Sequence, residues 1–227
     1  MGIKKITLWV VSAVLLSSIS LSTFAADPGF YMGIQLGAGD LHNSEALINT
    51  GQKQNPLSPI GCTSSNLANC HIVATTPTNV GVAERIYMGS NINRYFGFEI
   101  GAANYTPSEY SPNVEGYSHQ PHIWEYSADI LGKVMLPLGR FGIFGKGGIA
   151  FVYKSASSAI LENDDSNSSF FFVPAYGAGI SFSLSPRWEV DLSAMRIQGT
   201  DDLENIDFYA LGISYHLVDE YCGQFLC

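Results

Sequence analysis

The chain has 227 residues, enough for one domain, and a formal net charge of −9 from 11 basic and 20 acidic side chains. That balance excludes the clustered cations a nucleic-acid surface needs. Only 14% of the residues are charged, while Gly (23), Phe (13) and Tyr (12) are abundant, a composition that fits a thin-walled barrel better than a soluble sandwich with a solvated surface.

Met1–Ala25 reads as a secretory signal peptide. Lys4 and Lys5 form its positive start, Ile6–Leu16 its apolar run, and Thr23-Phe24-Ala25 supplies small residues at the cut. The apolar run is shorter than the roughly 20 residues a spanning helix requires. Cleavage after Ala25 removes two lysines and takes the formal charge from −9 to −11. The expected organisation is residues 1–25 as signal peptide, 26–217 as barrel and 218–227 as a short periplasmic tail.

The first expected strand is Gly29–Gly39. Phe30, Met32, Ile34, Leu36 and Ala38 fall on one face, and Tyr31, Gly33, Gln35, Gly37 and Gly39 on the other. Leu41–Asn79, rich in Asn, Ser, Thr, Pro and Gly, reads as a long irregular loop holding Cys62 and Cys70. Val80–Ser90 is the second strand. Its adjacent Glu84 and Arg85 cannot both face inward, and the residues leave open which does. In the third strand, Tyr95–Tyr105, Phe96, Phe98 and Ile100 alternate with Gly97, Glu99 and Gly101. A face that is small rather than polar suits a wall with its bulky side in lipid and its small side on a narrow lumen.

Thr106–His122, with Pro107, Pro112 and Pro121, reads as loop. The fourth strand is Ile123–Leu136, with Glu125, Ser127, Asp129, Leu131, Lys133 and Met135 inward; Pro137–Gly139 is a turn. The fifth is Arg140–Lys154, with Lys146, Gly148 and Ala150 inward. An acidic loop follows, and the sixth strand, Ser169–Ser183, has Gly177, Gly179 and Ser181 inward. After Leu184–Pro186 comes the seventh, Arg187–Gln198, with Asp191 and Ser193 inward. Strict parity sends Arg196 toward lipid, so it belongs at the outer rim, where it can snorkel. The eighth is Ile206–Leu217, with Tyr209, Leu211, Ile213, Tyr215 and Leu217 outward.

Eight strands joined by three short connections at one end and mostly long ones at the other predict an all-β fold, an eight-stranded antiparallel up-and-down transmembrane β-barrel. A soluble lipocalin-like barrel would reverse the pattern, with apolar residues inside.

The turn Asn91–Arg94, the aromatic after it and the Gly-Phe-Glu-hydrophobic-Gly run, together with the closing run Tyr209–Leu217, resemble the OmpA-like outer-membrane barrel family. The likeness extends over about residues 29–217. It implies the cell outer membrane as location, with outer-membrane lipid and lipopolysaccharide around the wall. Where that family closes with a terminal Phe this chain has Leu217, and with ten residues following it the expectation is a barrel without the family's peptidoglycan-binding domain. Glu99 and Lys133 match a lumen salt-bridge pair of the family. The positions of its alternative glutamate and arginine are Ser181 and Asp191 here, so that second pair is missing.

Counted from the short turns, Glu99, Lys133, Lys146 and Asp191 point inward at similar depth. Buried charges persist when paired, which predicts a lumen network of these four residues in an interior just wide enough for side chains to fill. No nucleophilic triad, metal box or phosphate loop stands out, so no catalytic residue, metal or cofactor is expected. His42 and Ser44 lie at a rim without an evident orienting acid, and His119 and His122 are not on a helix. Acids outside the first loop (Glu109, Glu115, Glu162, Asp164, Asp165, Asp201, Asp202 and Glu204) suit a solvated surface, or weak divalent-cation binding near lipopolysaccharide.

The topology puts Cys62 and Cys70 outside the cell and Cys222 and Cys227 in the periplasm, separated by roughly 25–30 Å of hydrocarbon. A disulfide needs α-carbons within about 7 Å, so the expected pairs are Cys62 with Cys70 and Cys222 with Cys227; either pair is free to remain as thiols. The functional expectation is a monomeric structural barrel that maintains the membrane and displays loops. The alternatives are an adhesin that meets a host-surface ligand through its long first loop, and a narrow channel.

Overall fold

In the computed structural model, residues 28–52, 70–110, 121–156 and 168–217 are described. Twelve strands run in chain order: β1 (Gly29–Asp40), β2 (Ala46–Gln52), β3 (Cys70–Thr75), β4 (Pro77–Thr78), β5 (Val80–Asn91), β6 (Phe96–Tyr105), β7 (Ser108–Tyr110), β8 (His122–Leu138), β9 (Phe141–Ala156), β10 (Ser168–Ser183), β11 (Trp188–Ile197) and β12 (Ile206–Leu217). Eight of them close into an antiparallel barrel in the order β1-β5-β6-β8-β9-β10-β11-β12, with β12 returning to β1. The expected fold class is the observed one.

Closure fixes the barrel's dimensions. Pairing leads from Phe30 through Ser90, Phe98, Gly132, Gly147, Tyr176, Arg196 and Asp207 to Asp40, ten residues further along β1 than its start. A stagger of ten over eight strands gives a tilt of about 40° and a backbone radius of about 8 Å. Such a lumen is filled by side chains. The bulky residues of each alternating pair face outward: Phe30, Ile34, Leu36, Ile86, Phe98, Ile130, Leu192 and Leu211 are all largely exposed. An apolar exterior of that size is a lipid-facing belt.

The second strand's facing, open in the sequence, is settled by its register. Arg85 is buried in the lumen, while Glu84 is exposed on the outer wall and accepts a hydrogen bond from Asn104 Nδ2 at 3.2 Å. Pro137 lies inside β8 rather than in a turn. Pairing between β6 and β8 ends at Val134, so no strand on that side needs the missing N–H, and Gly139, with a φ of 76°, takes the turn instead.

The first long loop, expected to be irregular, contains the β2–β3 hairpin, and β4 pairs with β7 in the second loop. Burial explains the difference. Ile48 of β2 clusters with Tyr110 and Ile123, and Asn43 Nδ2 donates to Ser108 and Glu125 at 3.0 and 3.1 Å. The Asn/Ser-rich composition that reads as loop supplies the side chains that pin the hairpin's base to the wall.

Candidate functional site

The lumen has two layers. The one nearer the short turns is charged and centres on Arg85. Its Nε and Nη2 donate to the two carboxylate oxygens of Asp129 at 2.9 and 2.6 Å, a bidentate pair, while Nη1 reaches Glu99 at 2.8 Å and Gln35 Oε1 at 3.0 Å. Lys146 Nζ donates to both oxygens of Glu99, at 2.7 and 2.9 Å, and Tyr31 Oη donates to the same carboxylate at 3.1 Å. Gln35 Nε2 links this group to Asp191 at 2.7 Å, and Asp191 also accepts from Tyr87 Oη at 3.2 Å. The small inward residues provide the room: a Cβ on Gly101 would collide with the Arg85 guanidinium, and one on Gly212 with the Asp191 carboxylate.

Lys133 is buried here without a carboxylate at salt-bridge distance. Its ammonium lies 4.9 Å from the ring centre of Tyr31 and 5.0 Å from that of Phe144. Arg85, Lys133 and Lys146 face Glu99, Asp129 and Asp191 in this layer, and Glu189, inward two residues below Asp191, adds a fourth carboxylate against the three cations. A cavity of about 10 Å³ beside Arg85 and Lys146 has room for about one water.

The layer toward the long loops is apolar. Ala150, Val152, Val173, Met195, Ile197 and Phe208 pack in one buried cluster, which Leu131, level with Glu99, extends down into the charged layer, with Tyr105 edge-on to Phe208 and Leu41 and Leu203 also in the cluster. Above it, Glu125 faces Lys154 across the β8–β9 register, both buried.

The four network residues expected from the sequence all lie in the charged layer. Arg85, Asp129, Gln35, Tyr31 and Tyr87, which join them, were not among the expected set. The alternation of Val82, Glu84, Ile86 and Met88 on one face would have turned Arg85 inward. Asp129 lies one tier above the depth counted from the turns. Cys62, Cys222 and Cys227 lie outside the described residues, as does the side chain of Cys70.

At the outer rim, Arg196 makes a bidentate pair with its register partner Asp207. His42, at a φ of 48°, has ring nitrogens 3.4 Å from Asp40 and 3.7 Å from Asp207, so this histidine does have acids beside it. Both its nitrogens face carboxylates, and Ser44 Oγ donates to Glu204 at 2.5 Å, an arrangement without a nucleophile on the base. His216 faces the lumen and stacks on Tyr31. Among the described residues, no group of three or more His, Cys, Asp or Glu is placed to hold a metal ion. His119, Glu115, Glu162, Asp164 and Asp165 lie outside the described residues.

A closed eight-stranded barrel with an apolar exterior and a filled lumen defines a transmembrane barrel of the bacterial outer membrane. The chain belongs to the outer membrane protein beta-barrel domain family, whose match runs over residues 11–216, and it is an outer-membrane protein. It is 26% identical over 213 residues to an uncharacterized protein of Coxiella burnetii (strain RSA 493 / Nine Mile phase I), covering 79% of this chain and 85% of that one. Among solved structures it is similar to the outer membrane protein OprG of Pseudomonas aeruginosa, at 12% identity and a TM-score of 0.50, over 86% of this chain and 98% of that one. It is also similar to Ail, the attachment invasion locus protein of Yersinia pestis, at 16% identity and a TM-score of 0.42, over 82% and 98%. The OprG likeness concerns the fold alone.

Proposed function

We propose that this protein is a sealed, monomeric structural barrel that maintains the outer membrane and holds loops at the cell surface. The observation that carries the reading is the double plug: a hydrogen-bonded charge network below an apolar cluster, with cavities of only about 10 and 20 Å³ found beside the charged side chains. In this reading Glu99, Lys133, Lys146 and Asp191, with Arg85 and Asp129, act as one structural network. Residues 1–25 are the export signal and 218–227 the periplasmic tail. Planar-bilayer recording on the reconstituted protein tests the seal: conductance is expected to be small or absent, and large stable porin-like currents would rule it out. The same recording addresses the narrow-channel alternative.

A second reading, surface recognition through the first loop, is supported by the way the β2–β3 hairpin is fixed to the wall through Ile48, Tyr110 and Asn43, which reduces the ordering cost of binding. Comparing the intact protein with a variant lacking residues 51–75 for binding to candidate host cells separates display from adhesion. Equal binding by both removes the loop from that role. Protease shaving of intact cells is expected to cut within residues 41–79 and spare the three short turns.

A further inference from the structure

The barrel's register assigns a level to every outward residue. At a tilt of about 40°, each residue climbs the barrel axis by about 2.5 Å, and each step from a strand to its partner, β1 to β5 and onward, climbs about 3 Å. On this scale Phe30, Phe96, Phe141, Phe182, Trp188 and Tyr215 form a lower ring within about 3 Å of one level. The upper edge is not level. On β11, β12 and β1 the outer wall turns polar at Arg196, about 19 Å above the ring, continuing through Asp207 at about 22 Å and Asp40 at about 25 Å. On β8, β9 and β10, across the barrel, it stays aromatic through Tyr126 at about 24 Å to Tyr153, Trp124 and Phe170 at about 28–31 Å.

A uniform apolar band of about 25 Å fits neither side. It would submerge the Arg196–Asp207 pair in hydrocarbon and set Trp124, Tyr153 and Phe170 in or beyond its headgroup girdle. Phe170 is 82% exposed, and Trp124 and Tyr126 stack with their planes 4° apart, so these rings form a continuous outer surface. That surface is unbroken with the lipid-facing belt beneath it: Ile130, Ala128, Tyr126 and Trp124 on β8, Ile149, Phe151 and Tyr153 on β9, and Tyr176, Pro174, Phe172 and Phe170 on β10.

We propose that the outer-leaflet boundary of this barrel slopes: lipid covers the β8–β9–β10 wall up to Trp124, Tyr153 and Phe170, and stops at Arg196 and Asp207 on the opposite side, about 10 Å lower. The occupant of the upper aromatic wall is therefore outer-leaflet lipid. The barrel thins the leaflet along β11–β12–β1 and thickens it along β8–β10, with tilt of the whole barrel absorbing part of the mismatch.

Asp40 and Tyr126 provide the test, because they stand at nearly the same level on opposite sides and both face outward. Asp40→Cys and Tyr126→Cys variants of the full chain are reconstituted in vesicles and treated with a membrane-impermeant maleimide, and adducts at the introduced position are counted by peptide mapping. The slope predicts labelling at position 40 at least tenfold faster than at 126, with the two rates converging after denaturation. Equal rates in vesicles, or faster labelling at 126, would overturn it. A second measurement identifies what covers the wall. The part of the tryptophan emission that Trp124→Phe removes should be quenched at least twofold by lipids brominated in their acyl chains. If it is instead unaffected by brominated lipid, whether or not position 126 is protected, water or protein lies against Trp124 and the proposal is wrong.

Discussion

The two halves of the lumen are enclosed by the same alternating wall but filled by opposite chemistry. Near the short turns, Arg85, Lys146, Glu99, Asp129 and Asp191 interlock through bonds of 2.6 to 3.0 Å with Gln35 at the junction. Toward the long loops, Ala150, Val152, Val173, Ile197 and Phe208 fill equivalent inward positions without a polar side-chain atom among them. Burying charge costs solvation that pairing only partly returns, whereas the apolar cluster stabilises directly through burial and contact. The charged layer's distinct contribution is selectivity of register: a slip of one residue on β5 would turn Arg85 toward lipid and one on β6 would turn Glu99, an expensive place for a charge.

That contrast can be broken from either side. The largest effect is expected from Arg85→Met, which leaves Asp129 buried without its partner and should cost about 3–5 kcal/mol, read as a lowered urea midpoint in reconstituted protein. Adding Asp129→Leu should recover most of the loss; no recovery would mean the pair stabilises beyond its own desolvation. In the apolar cluster, Leu131→Ala should cost about 3 kcal/mol through the cavity it opens, and no second substitution among the charged residues should restore it. Gly101→Ala occupies the space of the Arg85 guanidinium and should cost about 1–3 kcal/mol as overpacking; in the Arg85→Met background the same change should be nearly silent.

Lys133→Met is expected to cost about 1 kcal/mol, since the lysine lies over two rings and Glu99 already holds Arg85 and Lys146. Inward depth in the sequence and the family resemblance together place Lys133 in the charge network and predict about 3–5 kcal/mol, so one midpoint measurement separates the two. The smallest effect belongs to the cysteines. Pairing of Cys62 with Cys70 and Cys222 with Cys227 would close short loops and is expected to add little stability. Non-reducing peptide mapping reads it, and a crosslink between the two groups would contradict the membrane topology.

Facing was written in the sequence because a strand's side chains alternate whatever the neighbours do. Phe96, Phe98 and Ile100 against Gly97, Glu99 and Gly101 fix an outside and an inside, and the spacing of turns between eight such runs fixes a barrel. The first loop escaped that logic: its hairpin depends on Ile48 meeting Tyr110 and Ile123 from distant segments, and a local pattern carries no sign of them. The lumen network escaped it for a related reason. Inwardness is local, but partnership is decided by closure. Arg85 meets Asp129, 44 residues away, and Lys146 meets Glu99, 47 residues away, because a stagger of ten around eight strands brings those levels together and because glycines opposite leave room for the heads. The sequence determined that Glu99, Lys133, Lys146 and Asp191 enter the lumen, while the choice of Arg85 over Glu84 came from the register of β5. Only the closed barrel decided which of them touch, since that depends on the sum of eight registers, and it left Lys133 among aromatic rings instead of on the glutamate.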